Sequence, residues 1–255
     1  MTETKFPTEI IDLPSQGHLY PEDNPLSSGK VEMKYMTARE EDILTSVNLI
    51  QQGIVLDKLL ETLVVDKKIK IDDLLIGDKN ALIVAAGILA YGKDYEFNYT
   101  DSFDEDVSGK VDLTKLKEKK VDLSGVEKGQ SIFTFTLPKT ERMLTFELPT
   151  GRIEKEINVE LEAMKKVYKE DEVGRNLSTR LKHFIKSVDG NQDRKYINNF
   201  VDREFLSIDS LAFREYISSI TPDINLQTEV KNSRGGKETA TVPITVEFFW
   251  PGSRL

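Results

Sequence analysis

The chain contains no cysteine. Disulfides, thiolate metal sites and cysteine nucleophiles are therefore excluded. That usage fits a reducing compartment, although many secreted proteins also lack cysteine. Histidine is nearly as scarce, with only His18 and His183 present. Neither has a partner at a metal-ligand spacing such as i,i+4, and His18 falls in a Gly- and Pro-rich stretch expected to be an exposed loop. No apolar run approaches the roughly 20 residues that span a bilayer. The longest, Ala81 to Tyr91, is bounded by Asp78, Lys79 and Gly92, so stable membrane insertion is not expected. The opening Met1-Thr2-Glu3-Thr4-Lys5 lacks the apolar centre of a signal peptide, so a cleaved secretion signal is not expected either. No serine sits in a nucleophile elbow or a phosphate-cradling glycine loop.

What is present is a chain of 255 residues, 38% hydrophobic, long enough for one large domain or two small ones. Asp plus Glu number 44 against 35 Lys plus Arg, a net charge of −9. Duplex phosphates repel such a chain, so nucleic acid is not an expected partner. Only a local basic patch would override that sum. The candidates are Lys117 to Lys120, flanked by acids, and the group Arg175, Arg180, Lys182, Lys186.

Residues 1–36 read as an extended arm. Pro7, Pro14, Pro21 and Pro25 disfavour helix, because proline fixes φ and removes a backbone donor. Ile10 to Leu13 and Val31 to Tyr35 are strand candidates, the second alternating apolar and polar. Such an arm wraps its own domain or a neighbour's, and its short apolar patches, around Pro14, Leu19 and Tyr20, suggest docking onto another surface. Residues 37–94 read as a helical core. Thr37-Ala38-Arg39-Glu40 has the capping-box pattern, and Ile43, Leu44, Val47 and Ile50 continue at helical spacing until Gly53. Val55 to Val64 resumes the helix. Ala81 to Leu89 forms a buried one, with Gly92 as its C-terminal cap.

Residues 95–150 read as an inserted β unit. Tyr95 to Tyr99 alternates like a strand, an acidic loop follows from Asp101 to Asp106, and Ser131 to Leu137 pairs with Met143 to Leu148. Residues 151–255 read as a helical region closed by a hairpin. Ile153 to Tyr168 is helical, with Ile157, Leu161, Met164 and Val167 as its apolar stripe. Leu181 to Val188 is a short helix or a strand. Helices follow over Arg194 to Phe205 and Ser207 to Ile220. The final hairpin runs from Ile224 to Trp250 around Gly235-Gly236, with Val242, Ile244, Val246 and Phe248 on one face. Together these elements predict an α+β fold.

Carboxylates are abundant, so a glycosidase-like acid pair is the chemistry to look for, first around Asp101, Asp104, Glu105 and Asp106. Oxygen ligands also suit calcium, but the spacing of a calcium loop with its distal Glu is missing. The cluster otherwise reads as a solvated loop. Phe248-Phe249-Trp250-Pro251 is the most unusual apolar group. In a pleated strand alternate side chains point to opposite faces. Phe248 and Trp250 then cover the end of the hairpin core while Phe249 points the other way; the partner contact is placed at this tail, on Phe249 first and with Trp250 beside it. No catalytic, cofactor-binding or metal-ligating residue is expected.

Several segments, in order, resemble one family. Leu13-Pro14-Ser15-Gln16-Gly17, Leu19-Tyr20-Pro21 and Pro25-Leu26-Ser27-Ser28-Gly29 look like its opening arm. Met36-Thr37-Ala38-Arg39-Glu40-Glu41-Asp42-Ile43-Leu44-Thr45 looks like its most distinctive segment. Leu74-Leu75-Ile76-Gly77-Asp78-Lys79-Asn80-Ala81 and Leu89-Ala90-Tyr91-Gly92 continue the similarity. The family is the T4-type bacteriophage baseplate hub subunit family, and the resemblance covers roughly residues 10 to 170. It implies a non-enzymatic structural or assembly protein of a contractile phage tail. The implied partners are other baseplate hub and tail proteins, with the tape-measure protein as a further one. The implied location is the host cytoplasm during virion assembly, and the resemblance leaves open whether the protein stays in the tail baseplate or acts as an assembly chaperone. Some relatives carry a Cys-x-x-Cys pair after the Tyr-Gly segment, suggesting a zinc-ribbon-like insertion. Tyr99-Thr100-Asp101-Ser102-Phe103 has no cysteine here, so no zinc site or other cofactor carries over. The alternative reading, from the carboxylates, is a hub-associated peptidoglycan hydrolase.

Overall fold

Helix α4, Ile76–Tyr91, is apolar on every side from Ala81 to Ala90, as a helix is when it is packed within a core. The structure is a computed structural model describing residues 6–167 and 175–249. Gly77 lets the backbone at Pro222 and Asp223 lie directly against α4, where any Cβ would collide with the Pro222 carbonyl. Around α4 runs a hydrophobic core that includes Leu13 and Leu26 from the arm, Leu59 and Leu60, Phe146, Phe200, Phe213 and Phe248. With eight α-helices and small antiparallel sheets among the described residues, the protein has an α+β fold, as expected.

Both strand candidates of the arm form, and the arm wraps its own body. Strand β1, Thr8–Asp12, pairs antiparallel with β2, Lys30–Lys34, and the chain between them folds onto the body. Leu13, Leu19, Tyr20 and Leu26 are all buried there. Gly17 makes the return possible. Its φ of +73° suits glycine, and its Cα lies against Ser27 and Gly29 where no side chain fits.

The capping box forms. Glu40 opens α1, Ala38–Leu44, and its carboxylate accepts from the Thr37 N–H at 3.0 Å and the Thr37 hydroxyl at 2.5 Å. The helix then ends at Thr45, earlier than Gly53, and Ser46 starts the separate short helix α2, Val47–Gln51. Helix α3, Val55–Leu63, follows. Its buried Asp57 pairs with Lys79 of α4 and, at 3.2 Å, with Lys155 of α5, Gly151–Val167, which ties three helices together.

Residues 95–150 do not make one sheet. Strand β3, Asp94–Thr100, pairs with β4, Asp106–Asp112, a strand the sequence reading missed. Its central Gly109 lies opposite Phe97 and leaves room for that ring. Strand β5, Ile132–Thr136, pairs with β6, Met143–Glu147, as expected. Their sheet gains a third strand, β7, Ile185–Val188, which follows helix α6, Asn176–Phe184. Thus the ambiguous Leu181 to Val188 stretch is a helix end and then a strand. In α5, Ile157 is buried while Leu161 and Met164 are half-buried. Tyr168 lies outside the described residues. Helices α7, Arg194–Arg203, and α8, Ser207–Ile220, lie within the expected ranges.

The terminal hairpin is shorter than expected. Strands β8, Gln227–Lys231, and β9, Lys237–Thr241, flank the Gly235-Gly236 turn. Pro243 cannot donate to a ladder, and the chain leaves the sheet there. Val246–Phe249 is a 3₁₀ turn, so strand alternation does not govern its rings.

Candidate functional site

The sequence places an acid, Asp78, in the first turn of α4, where the helix dipole favours negative charge. The arm wraps over it and makes it fully buried. Ser15 donates its N–H to Oδ1 at 2.9 Å and its hydroxyl to Oδ2 at 2.6 Å. Tyr20 donates its hydroxyl to the same Oδ2 at 2.6 Å and accepts the Leu75 N–H at 2.9 Å. Burial pushes the Asp78 carboxyl above its ordinary value, the Ser15 and Tyr20 hydrogen bonds oppose this, and Asp223 adds repulsion. Burial, and then the neighbouring Asp78, drive the Tyr20 phenol well above its usual range.

Two grooves flank this junction. One, about 220 Å³, is lined by Leu19, Tyr20, Asp73, Phe133, Glu147 and Arg152 among others. The other, about 520 Å³, lies between Pro14, Gln16 and His18 on one side and Lys119, Lys120 and Ser124 on the other. Leu19 and Tyr20 line the first groove, and Pro14 lines the second. Their surroundings differ from expectation. Leu19 and Tyr20 are buried against the chain's own body, and only Pro14 is half-exposed. The reading missed Ser15 and Asp78. Both lie in segments that carry the family resemblance, which is the one signal that singles them out.

The Ser15 hydroxyl beside a carboxylate resembles a nucleophile and its base. Both groups are buried, however, and His18 is turned away, donating Nε2–H to the Val126 carbonyl at 2.7 Å. His18 is also half-buried rather than exposed. His183 lies between two carboxylates of α5, with Nε2 2.8 Å from Glu160 and Nδ1 3.5 Å from Glu156. The two acids flank opposite edges of the ring. No group of three His, Cys, Asp or Glu suited to a metal ion occurs among the described residues.

The acidic cluster is a turn rather than an acid pair. Asp101 is buried and accepts the N–H groups of Phe103 at 2.8 Å, Glu105 at 3.0 Å and Ser233 at 2.8 Å. Burial works against its ionisation, but these donors outweigh it and hold the carboxyl far below the usual range. Asp101 thereby fastens the β3–β4 turn to the β8–β9 turn. Arg234 adds to the joint by lying 3.8 Å over the Phe103 ring.

The basic candidates are largely spent within the fold. Arg180 pairs with Glu154 at 2.6 Å, Lys182 with Asp202 at 2.7 Å and Lys186 with Glu147 at 3.0 Å. Lys119 donates to the Ser218 carbonyl. The expected contact at the C-terminus also changes. Phe249 is 1% exposed and meets Phe248 edge-on at 5.2 Å, so its ring belongs to the core. Phe248 in turn lies against Gly87 and 4.7 Å from the Tyr95 ring. Trp250 lies outside the described residues.

Comparison of the chain with family models, with curated proteins and with solved structures gives no match.

Proposed function

We propose that this chain is a non-enzymatic structural or assembly protein of the baseplate hub of a contractile phage tail, acting through contacts with other hub and tail proteins. One observation carries the reading. The separate segments that resemble the hub subunit family interlock with each other. Ser15 and Tyr20 bond Asp78, Tyr20 bonds Leu75, Gly17 packs on Gly29, and the Tyr91 hydroxyl lies 3.3 Å from Glu41. Residues that matter because they hold one another form a signature of a fold, which supports treating the scattered similarity as a single one. The buried acids Asp57, Asp78, Asp101 and Asp209 are likewise engaged in joining elements. The protein on this reading works in the host cytoplasm during virion assembly, either as a part of the tail baseplate or as an assembly chaperone that leaves it. Disrupting its gene in the phage that encodes it should leave tails without complete baseplates. Normal infectious particles from the disrupted phage would reject the role.

The second reading, a peptidoglycan hydrolase, draws on Asp73 and Glu147, which both line the 220 Å³ groove. Glu147 is ion-paired with Lys186, which weighs against its use as a proton donor. Cell-wall hydrolysis by the purified protein, lost in both Asp73→Asn and Glu147→Gln, would favour this reading over the structural one.

A further inference from the structure

The register of the β1–β2 ribbon leaves one row of backbone groups without partners among the described residues. The ladder pairs Thr8 with Lys34 through to Asp12 with Lys30. The bonds that extend it at either end run from the Tyr35 N–H to the Pro7 carbonyl, 3.3 Å, and from the Leu13 N–H to the Gly29 carbonyl, 2.8 Å. Both involve odd-numbered residues of the first strand. Alternate residues of an antiparallel strand direct their amide and carbonyl to opposite sides. Glu9 and Ile11 therefore bond to β2, while Thr8, Ile10 and Asp12 aim theirs outward. The ribbon has two strands, so no strand lies on that side among the described residues. Ile10, at the centre of this edge, is 64% exposed. The outer edge of β5 differs, because Gln130 caps its Ile132 carbonyl at 3.0 Å.

We propose that the free edge of β1 pairs with β1 of a second copy of this chain, antiparallel about a two-fold axis at Ile10. The two ribbons then form one four-stranded sheet. Outward-facing residues must meet outward-facing residues, so only registers two residues apart compete. The register centred on Ile10 sets Ile10 against Ile10 and Thr8 against Asp12. Its three residue pairs exchange two bonds each and satisfy every outward amide and carbonyl of β1. It also places Glu9 opposite Ile11, so no two like charges face each other directly. A shift one way sets Asp12 against Phe6 and Ile10 against Thr8. A shift the other way sets Ile10 against Asp12 and brings Pro14, which has no N–H, opposite Thr8. Every such antiparallel register is two-fold symmetric, but only the one centred on Ile10 sets the exposed Ile10 side chain against its own copy. Two five-residue strands bury less than the roughly 1,200 Å² of a stable interface, so the dimer is of the weak, reversible class.

The test is sedimentation equilibrium of the whole protein at concentrations up to about 1 mM. The wild type should show a reversible monomer–dimer equilibrium. Ile10→Pro removes only an outward N–H and leaves the bonds to β2, so it should keep the melting temperature. It deletes two of the dimer's bonds, one from each copy, and should weaken association by more than about tenfold. Ile10→Lys, which sets two ammonium groups together, should do the same and serves if the proline disturbs the ribbon. Because the chain has no cysteine of its own, register can be read by oxidation. Ile10→Cys should cross-link to its copy, whereas Thr8→Cys, which faces Asp12, should not. A monomer at about 1 mM, a dimer indifferent to both Ile10 substitutions, or equal cross-linking at Thr8 would overturn the proposal. Exchange protection of the β1 edge amides only when a hub protein is added would also overturn it, assigning the edge to a foreign strand.

Discussion

Replacing Tyr20 by phenylalanine removes a single oxygen and two buried hydrogen bonds. The hydroxyl donates to Asp78 at 2.6 Å and accepts the Leu75 N–H at 2.9 Å. The ring stays, so packing is preserved and the loss is polar. A hydrogen bond to a charged group is worth about 1.5–3 kcal/mol, and a buried amide left unpaired costs about 1–3 kcal/mol. Asp78 keeps both bonds from Ser15, which moderates the first figure. We expect Tyr20→Phe to cost about 3 kcal/mol, or roughly 6–12 °C in melting temperature for a chain of this size. Urea denaturation followed by circular dichroism measures it, with an unchanged slope showing that compactness is kept. A loss below about 0.5 kcal/mol would refute the claim that this network locks the arm to the body. Asp78 adds a pH signature. Its folded value lies above its unfolded one, so its proton binds more tightly in the native state. Its favourable contribution is full below the ordinary carboxylate value and is lost as pH rises through the raised one. The stability gap between wild type and Asp78→Asn should therefore narrow as pH climbs from about 4.

Three further outcomes are expected. Deleting residues 1–29 removes Leu13, Leu19, Tyr20 and Leu26 from the core, about 6–12 kcal/mol of burial, so calorimetry should show no cooperative melting. Phe249→Ala should cost about 3–5 kcal/mol in denaturant unfolding, much as Phe248→Ala should, because both rings are buried; a neutral Phe249→Ala would return that ring to the surface. Glu40→Ala should cost about 1–2 kcal/mol near neutrality by removing the capping box. Burial raises the Glu40 carboxyl, but the Thr37 and Lys34 contacts outweigh that and hold it at about 2, below the ordinary 4.5. Its contribution is present above pH 4.5 and fades as pH falls through about 2, so unfolding curves of the two proteins should converge in acid.

Helices with a clear apolar period were legible from residues alone, as were the capping box at Thr37 and the β5–β6 pair. Strand β4 was not, because Asp106 to Asp112 is polar and carries Gly109, which reads as a turn until the Phe97 ring is seen opposite it. The alternation from Thr239 onward ran past Pro243, and a missing backbone donor outweighed a good side-chain pattern. Strand β7 is four residues long and follows a helix directly, too short for a period to show. At the candidate site, the apolar character of Leu19 and Tyr20 was legible but their partner was not. Ser15 and Asp78 are 63 residues apart, and nothing local says that a hydroxyl in one will meet a carboxylate in the other.

The proposed role in a phage tail is tested most directly by quantitative mass spectrometry of purified virions beside baseplate-hub assembly intermediates from the phage that the proposal takes as the source of the chain. The account predicts this chain in the hub intermediates at a fixed ratio to other hub proteins, whether or not it stays in the finished particle. Its absence from both fractions, with the protein abundant in the infected cell, would contradict it.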